Sequence, residues 1–224
     1  MSAASEPLTI DVVSDVVCPW CYVGKRRLET ALAEADVRVA VSWRPYQLDP
    51  TIPPEGKSRR DYMQAKFGSL DRVKQVHERL EAIGEEVGIP FAFEQISVSP
   101  NTLDAHRLIR WATETGSADE VVEALFRTYF VEGRNIGDPD VLADIGAANG
   151  MNRGDLAGRL GSAEDRDAVR REIEAAQGIG VTGVPTFILA GRYALVGAQP
   201  AAEIARALET IAARQSSGEG DDTR

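Results

Sequence analysis

The apolar positions of the chain change period three times. Leu8-Thr9-Ile10-Asp11-Val12-Val13 is apolar and β-branched, which predicts a strand. Lys25 to Leu32 has helical composition, and this helix should end near Ala35 and Asp36. Val37 to Trp43 alternates and is rich in valine, predicting a second strand. Strand, helix and strand make one βαβ unit, whose strands should run parallel through a right-handed crossover. Pro45, Pro50, Pro53 and Pro54 then leave a loop with no room for a helix.

The next long stretch is helical. Leu70, Val73, Val76, Leu80, Ile83 and Val87 recur at three- and four-residue steps and form one stripe, read as core packing. Gly88-Ile89-Pro90 stops that helix, and Phe91-Ala92-Phe93 is expected to be a short extended segment. Ser99 to Thr102 opens another helix, with Leu103, Leu108, Ile109 and Trp111 as core candidates. Val121, Val122, Leu125, Phe126, Tyr129 and Phe130 form a further amphipathic stretch. Asp138 before Pro139 is an N-cap followed by a first-turn proline. Asp155 and Ser162 are expected to cap two more helices, the second running to Ala176 with Gly178 as its stop.

Strand patterning returns at Thr186–Ala190 and Tyr193–Val196, a hairpin around Gly191-Arg192. Ile204, Leu208 and Ile211 mark one face of a last helix, and residues 215–224 read as a polar, disordered tail. Neither outer piece could bury a core alone. The expected architecture is therefore α/β, with residues 1–47 and 181–214 forming one discontinuous domain and residues 48–180 an all-helical insertion.

Composition narrows the function. The 224 residues are 43% hydrophobic and 27% charged, as in an ordinary soluble globular protein. A formal net charge of −10 argues against nucleic-acid or anionic-membrane binding, which need a basic surface. No apolar run is long enough to span a bilayer, and Met1 to Pro7 lacks the features of a secretory signal. The expected compartment is the cytoplasm, where a cysteine pair is more often catalytic than structural.

Both cysteines lie in Cys18-Pro19-Trp20-Cys21, where the first strand turns into the first helix. A sulfur at a helix N-terminus meets unpaired N–H groups and partial positive charge, which favour the reactive thiolate. Pro19 suits the first helical position. Cys18 is expected to be exposed and to attack; Cys21, one turn in, is expected to be more buried and to resolve the mixed disulfide. A zinc site is the competing reading, but only His77 and His106 remain as further ligands besides carboxylates, at a spacing far from that of compact sites. No metal is expected. A structural disulfide would close too small a loop to restrain the unfolded chain.

Three stretches resemble the thioredoxin-fold DsbA group, and within it the FrnE-like branch of cytoplasmic dithiol–disulfide oxidoreductases. They are Cys18 to Gly24, Ser99 to Arg107 and Gly180 to Phe187, within a likeness running from Ile10 to about Leu208. The resemblance implies a cis Pro185 facing the cysteines, with the Val184 backbone pairing with extended substrate or glutathione. It implies no bound cofactor beyond glutathione as a co-substrate. Pro19, Trp20 and Asn101 become candidate substrate contacts, with helix capping as the alternative for Asn101. Trp20 replaces the histidine of periplasmic DsbA proteins, so Cys18 should be less acidic than theirs and the protein a weaker oxidant. Asp15, three residues before Cys18, is either a thiol-tuning proton relay or a turn aspartate. For His106 a packing or surface role is favoured over a catalytic base.

Disulfide exchange on protein or small-molecule substrates is the leading expectation. A glutathione-dependent isomerase of the 2-hydroxychromene-2-carboxylate type, or a kappa-class glutathione transferase, shares the fold; those families typically carry serine at the first cysteine position. A non-catalytic chaperone-like binding module is the third. The apolar helical stripes would also suit a homodimer partner.

Overall fold

The computed structural model describes residues 6–217. Its main sheet has four strands in the order β2-β1-β5-β6. Strand β1 (Leu8–Ser14) pairs parallel with β2 (Val39–Pro45), setting Ile10 opposite Val41. On its other side β1 runs antiparallel to β5 (Thr186–Leu189), with Val12 opposite Phe187. Strand β6 (Tyr193–Val196) closes the hairpin.

Helix α1 (Pro19–Glu34) returns the chain from β1 to β2. It packs with α9 (Ala201–Ser217) on one face of the sheet. Leu28 and Ala31 of α1 and Ile204, Leu208 and Ile211 of α9 bury against Ile10, Phe187 and Leu189. The α9 helix continues through Gln215 to Ser217, where a tail was expected to have begun; the rest of that tail lies outside the described residues.

Between β2 and β5 come α2 (Arg59–Phe67), α3 (Leu70–Glu86), α4 (Leu103–Thr115), α5 (Ala118–Phe130), α6 (Pro139–Ala148), α7 (Arg153–Leu160) and α8 (Arg166–Gly178). A two-residue antiparallel ladder of β3 (Lys57–Ser58) and β4 (Val98–Ser99) pins the start of α2 beside the start of α4. Helix α8 packs on β2, and its Ala176 joins Val13, Tyr46 and Val181 in a small cluster with Ile188 of β5.

The first turn of α1 faces the other way from the rest of that helix. Cys18, Cys21, Tyr22 and Val23 belong to the core of the helical region, whereas Leu28 and Ala31 belong to the sheet. Tyr22 stacks on Phe126 with ring centroids 4.9 Å apart, and its hydroxyl donates to Glu123 at 2.8 Å. Just beyond, Lys25 is almost wholly buried and pairs with Asp119, Glu123 and Glu29. The cysteine turn thus sits in the seam between the two cores.

Several local expectations are corrected. Phe91–Phe93 is not extended; a 3-10 turn spans Phe93–Gln95 with Phe93 buried. Asn152, not Asp155, caps α7, because its side-chain oxygen accepts from the N–H groups of Gly154 and Asp155. Asp155 instead lies in the first turn, where negative charge is favourable. Ser162 does not cap α8: its hydroxyl donates to Arg159 O and accepts from Glu164 N. The residue at the α8 N-cap is Asp165, whose carboxylate accepts from the Trp111 indole at 2.9 Å and does not cap. The helix runs through Gly178, and the left-handed turn falls on Gly180.

Candidate active site

Cys18 is the N-cap of α1, in extended conformation, and Pro19 occupies the first turn, where its missing N–H has no partner to lose. The Cys18 N–H donates to Asp15 O at 2.9 Å, and Cys18 O accepts from Cys21 N at 3.0 Å. These bonds fold both thiols into one turn. Opposite them lies the loop before β5, with the Val184–Pro185 peptide bond cis. Cys18 Sγ is 3.8 Å from Val184 O.

Cys18 is buried, with 5% of its surface exposed, rather than open to solvent as expected. Its sulfur faces the Val184 carbonyl across the seam, so access runs through a cavity of about 330 Å³. Cys18, Pro19, Trp20 and Val184 line it together with Ile52, Met63, Leu80, Phe93 and Tyr129. Cys21 is deeper, at 1% exposed, and does not line that cavity.

The two thiols are electrostatically unequal. The hydrogen bond from the Cys21 thiol, helped by the N–H groups of Cys21 and Trp20, holds Cys18 below the ordinary thiol range; burial and the Asp15 charge work against it. Burial pushes Cys21 well above that range, and its bond to Cys18 and the charge there add to the rise. Cys18 is therefore the more readily ionised thiol and Cys21 the one that keeps its proton longer.

Asp15 is 1% exposed and lines the same cavity. Its Oδ2 accepts from Leu48 N at 2.8 Å, and its Oδ1 lies 3.5 Å from His106 Nε2. His106 is buried and its Nε2 is 2.8 Å from Tyr46 O, so it joins α4 to the end of β2 without reaching a thiol. Asn101 does not line the cavity. Its oxygen accepts from Leu103 N and Gln47 Nε2, and its amide donates to Ile52 O. All its polar atoms are committed to holding the loop after β2 against the start of α4. Trp20, at the cavity rim, is 36% exposed.

The residues that sequence reasoning missed come from α2 and α3: Arg59, Tyr62, Met63, Phe67 and His77 all line the cavity. The apolar step Met63–Phe67 was the available signal for α2.

A family model described as the DSBA-like thioredoxin domain matches residues 9–209. The chain belongs to that family. A probable DsbA oxidoreductase from Streptomyces coelicolor has 30% sequence identity to this DSBA-like chain, covers 97% of it over 93% of its own length, and superposes with a TM-score of 0.86. The uncharacterized protein YwbO of Bacillus subtilis is 29% identical over 181 residues, 80% of this chain and 86% of that protein. A 2-hydroxychromene-2-carboxylate isomerase, 16% identical, shares the fold alone, with a TM-score of 0.71 over 95% of this chain and all of its own. No helix among the described residues is long and apolar enough to cross a membrane.

Proposed function

We propose that this DSBA-like protein is a cytoplasmic, FrnE-like dithiol–disulfide oxidoreductase. The Cys18 thiolate attacks a substrate disulfide, forming a Cys18–substrate bond and releasing one substrate thiolate. Cys21 then gives up its proton and attacks Cys18, closing the Cys18–Cys21 disulfide and releasing the second substrate thiolate, which takes that proton. Two electrons pass from the protein dithiol to the substrate disulfide; a cellular thiol such as glutathione, as co-substrate, returns them. Pro185 keeps the Val184 backbone beside Cys18, and Pro19, Trp20 and Val184 flank the incoming sulfur.

One observation carries this reading: two thiols in one helical turn, the outer with lowered and the inner with raised pKa, at the wall of a cavity. The isomerase-type relative shares the fold, but a resolving cysteine has no use in that chemistry. The test is the redox equilibrium of the pair in glutathione buffers, together with insulin reduction, for wild type and Cys18→Ser. A reversible two-electron couple and activity lost in Cys18→Ser are expected. Glutathione binding without turnover that survives Cys18→Ser would instead support the isomerase or transferase reading.

A further inference from the structure

The cavity beside Cys18 is lined by cations that the disulfide chemistry does not use. Arg59 lines it, and its Nε is buried with no hydrogen-bond partner. Among the described residues no carboxylate lies within ion-pairing distance of that guanidinium, whereas Arg110, whose Nε also lacks a hydrogen bond, has Asp165 and Glu172 beside it. The Arg59 guanidinium carbon sits 6.0 Å from the Tyr129 ring. His77 lies close by, stacked on Phe93 with centroids 4.2 Å apart, and its Nε2 is also buried and unpartnered. Lys66 adds a second cation to the lining.

The two carboxylates in this lining do not neutralise Arg59. Asp15 accepts from the Leu48 N–H, and Asp49 accepts from the Thr51 N–H and hydroxyl. Neither forms an ion pair with Arg59, although Asp15 Oδ1 is itself buried without a hydrogen-bond donor. A buried guanidinium donor without an acceptor costs free energy, and an anionic ligand atom arriving there would recover it. Apolar side chains share this lining with Arg59 and Cys18: Ile52, Met63, Phe67 and Leu80 line the same cavity.

We propose that this cavity selects low-molecular-weight disulfides that carry a carboxylate on an apolar, aromatic-sized body. Arg59 takes the carboxylate with His77 beside it, the body fills the apolar wall, and the disulfide reaches Cys18. The inference rests on the oxidoreductase reading and names the substrate class for that same site. The lining's two cations, Arg59 and Lys66, stand with two carboxylates, Asp15 and Asp49, so the local feature that favours such a ligand is the unpartnered Arg59 Nε.

The test compares two aromatic disulfides as single-turnover oxidants of the dithiol protein. One is 5,5′-dithiobis(2-nitrobenzoate), which carries carboxylates; the other is 2,2′-dithiodipyridine, which does not. In Arg59→Met the rate constant for the carboxylate disulfide should fall about 10- to 100-fold, the worth of a hydrogen bond to a charged group. The rate for dithiodipyridine should stay within about twofold, and Arg59→Lys should fall between for the carboxylate disulfide. Equal losses on both oxidants, or no loss on either, overturn the proposal. As a check independent of turnover, 2-nitrobenzoate should slow alkylation of Cys18 in wild type and not in Arg59→Met; no protection in wild type counts against it. Should Cys18→Ser react with both oxidants as fast as wild type, the oxidoreductase reading itself fails.

Discussion

Gly24 lies directly beneath Pro185. A Cβ at Gly24 would stand 2.8 Å from Pro185 Cγ and 3.3 Å from Phe187 Cζ, closer than packed atoms sit. The contact joins α1, one turn past the cysteines, to the loop that presents Val184 O to Cys18. Gly24→Ala should therefore push the proline ring away, with an overpacking cost of about 1–3 kcal/mol. At this chain length that lowers Tm by roughly 2–10 °C. Insulin reduction should fall as well, because the displaced segment faces the reactive sulfur. Gly183→Ala is the control: a Cβ there meets nothing within 4 Å, so its Tm should match wild type in the same melt.

Cys18 and Cys21 should titrate far apart. The hydrogen bond from Cys21 is the main cause of the low Cys18 pKa, so Cys21→Ala should raise it. Asp15→Asn removes a charge that opposes the thiolate, so it should lower it. Thiolate absorbance against pH reads both shifts. In wild type the alkylation rate of Cys18 should climb with pH through a midpoint below the ordinary thiol value and level off above it. Because Trp20 brings no histidine charge, the midpoint should stay above about pH 5; ionisation complete well below that would refute the role given to Trp20.

The elements that frame the site were legible in the sequence. An apolar, β-branched run marked β1, alternation and valine content marked β2, strand patterning marked the β5–β6 hairpin, and the cysteine pair marked the turn from β1 into α1. The walls of the cavity were harder to read. Helical periodicity says that Val73 and Leu80 of α3 are buried, but not that His77 on the same helix lines the cavity beside Cys18. Cys18 was expected to be exposed because it leads the cysteine turn; in the fold it joins the core of the helical region and faces Val184 O, which leaves it buried. The cap assignments at Asp155 and Ser162 failed because neighbouring polar residues compete for the same N–H groups, and only tertiary contacts such as Trp111–Asp165 decide between them.

Asp15 should separate thiol acidity from proton transfer. Its carboxylate is buried beside the cysteine turn, with Oδ1 facing His106 rather than a hydrogen-bond donor of its own. If it shuttles the proton of Cys21, Asp15→Asn should slow disulfide closure on the order of 10²-fold while making Cys18 more acidic. A structural aspartate would leave the closure rate close to wild type, with the shift in Cys18 acidity and the Leu48 contact the only changes. Single-turnover kinetics with a preformed mixed disulfide at Cys18 distinguish these outcomes, since that step needs only the attack of Cys21.

Arg107 should matter for stability more than for chemistry. It has no exposed surface, and its guanidinium donates to Glu164 O and Arg159 O, each at 2.6 Å, and to Ser162 O at 3.2 Å. It also pairs with Asp104 and lies over the Trp111 ring at 4.9 Å. One side chain thus binds the carbonyls at the end of α7 and in the turn to α8 to the middle of α4. Arg107→Met would take the donor from those part-buried carbonyls and the partner from Asp104, costing about 2–3 kcal/mol. Arg107→Lys should recover little, because an ammonium cannot reproduce the planar fork that meets several carbonyls at once. In thermal melts both variants should lose on the order of 10 °C. At temperatures where they remain folded, the Cys18 alkylation rate should be near wild type, because α7 and the turn to α8 do not touch the thiol cavity.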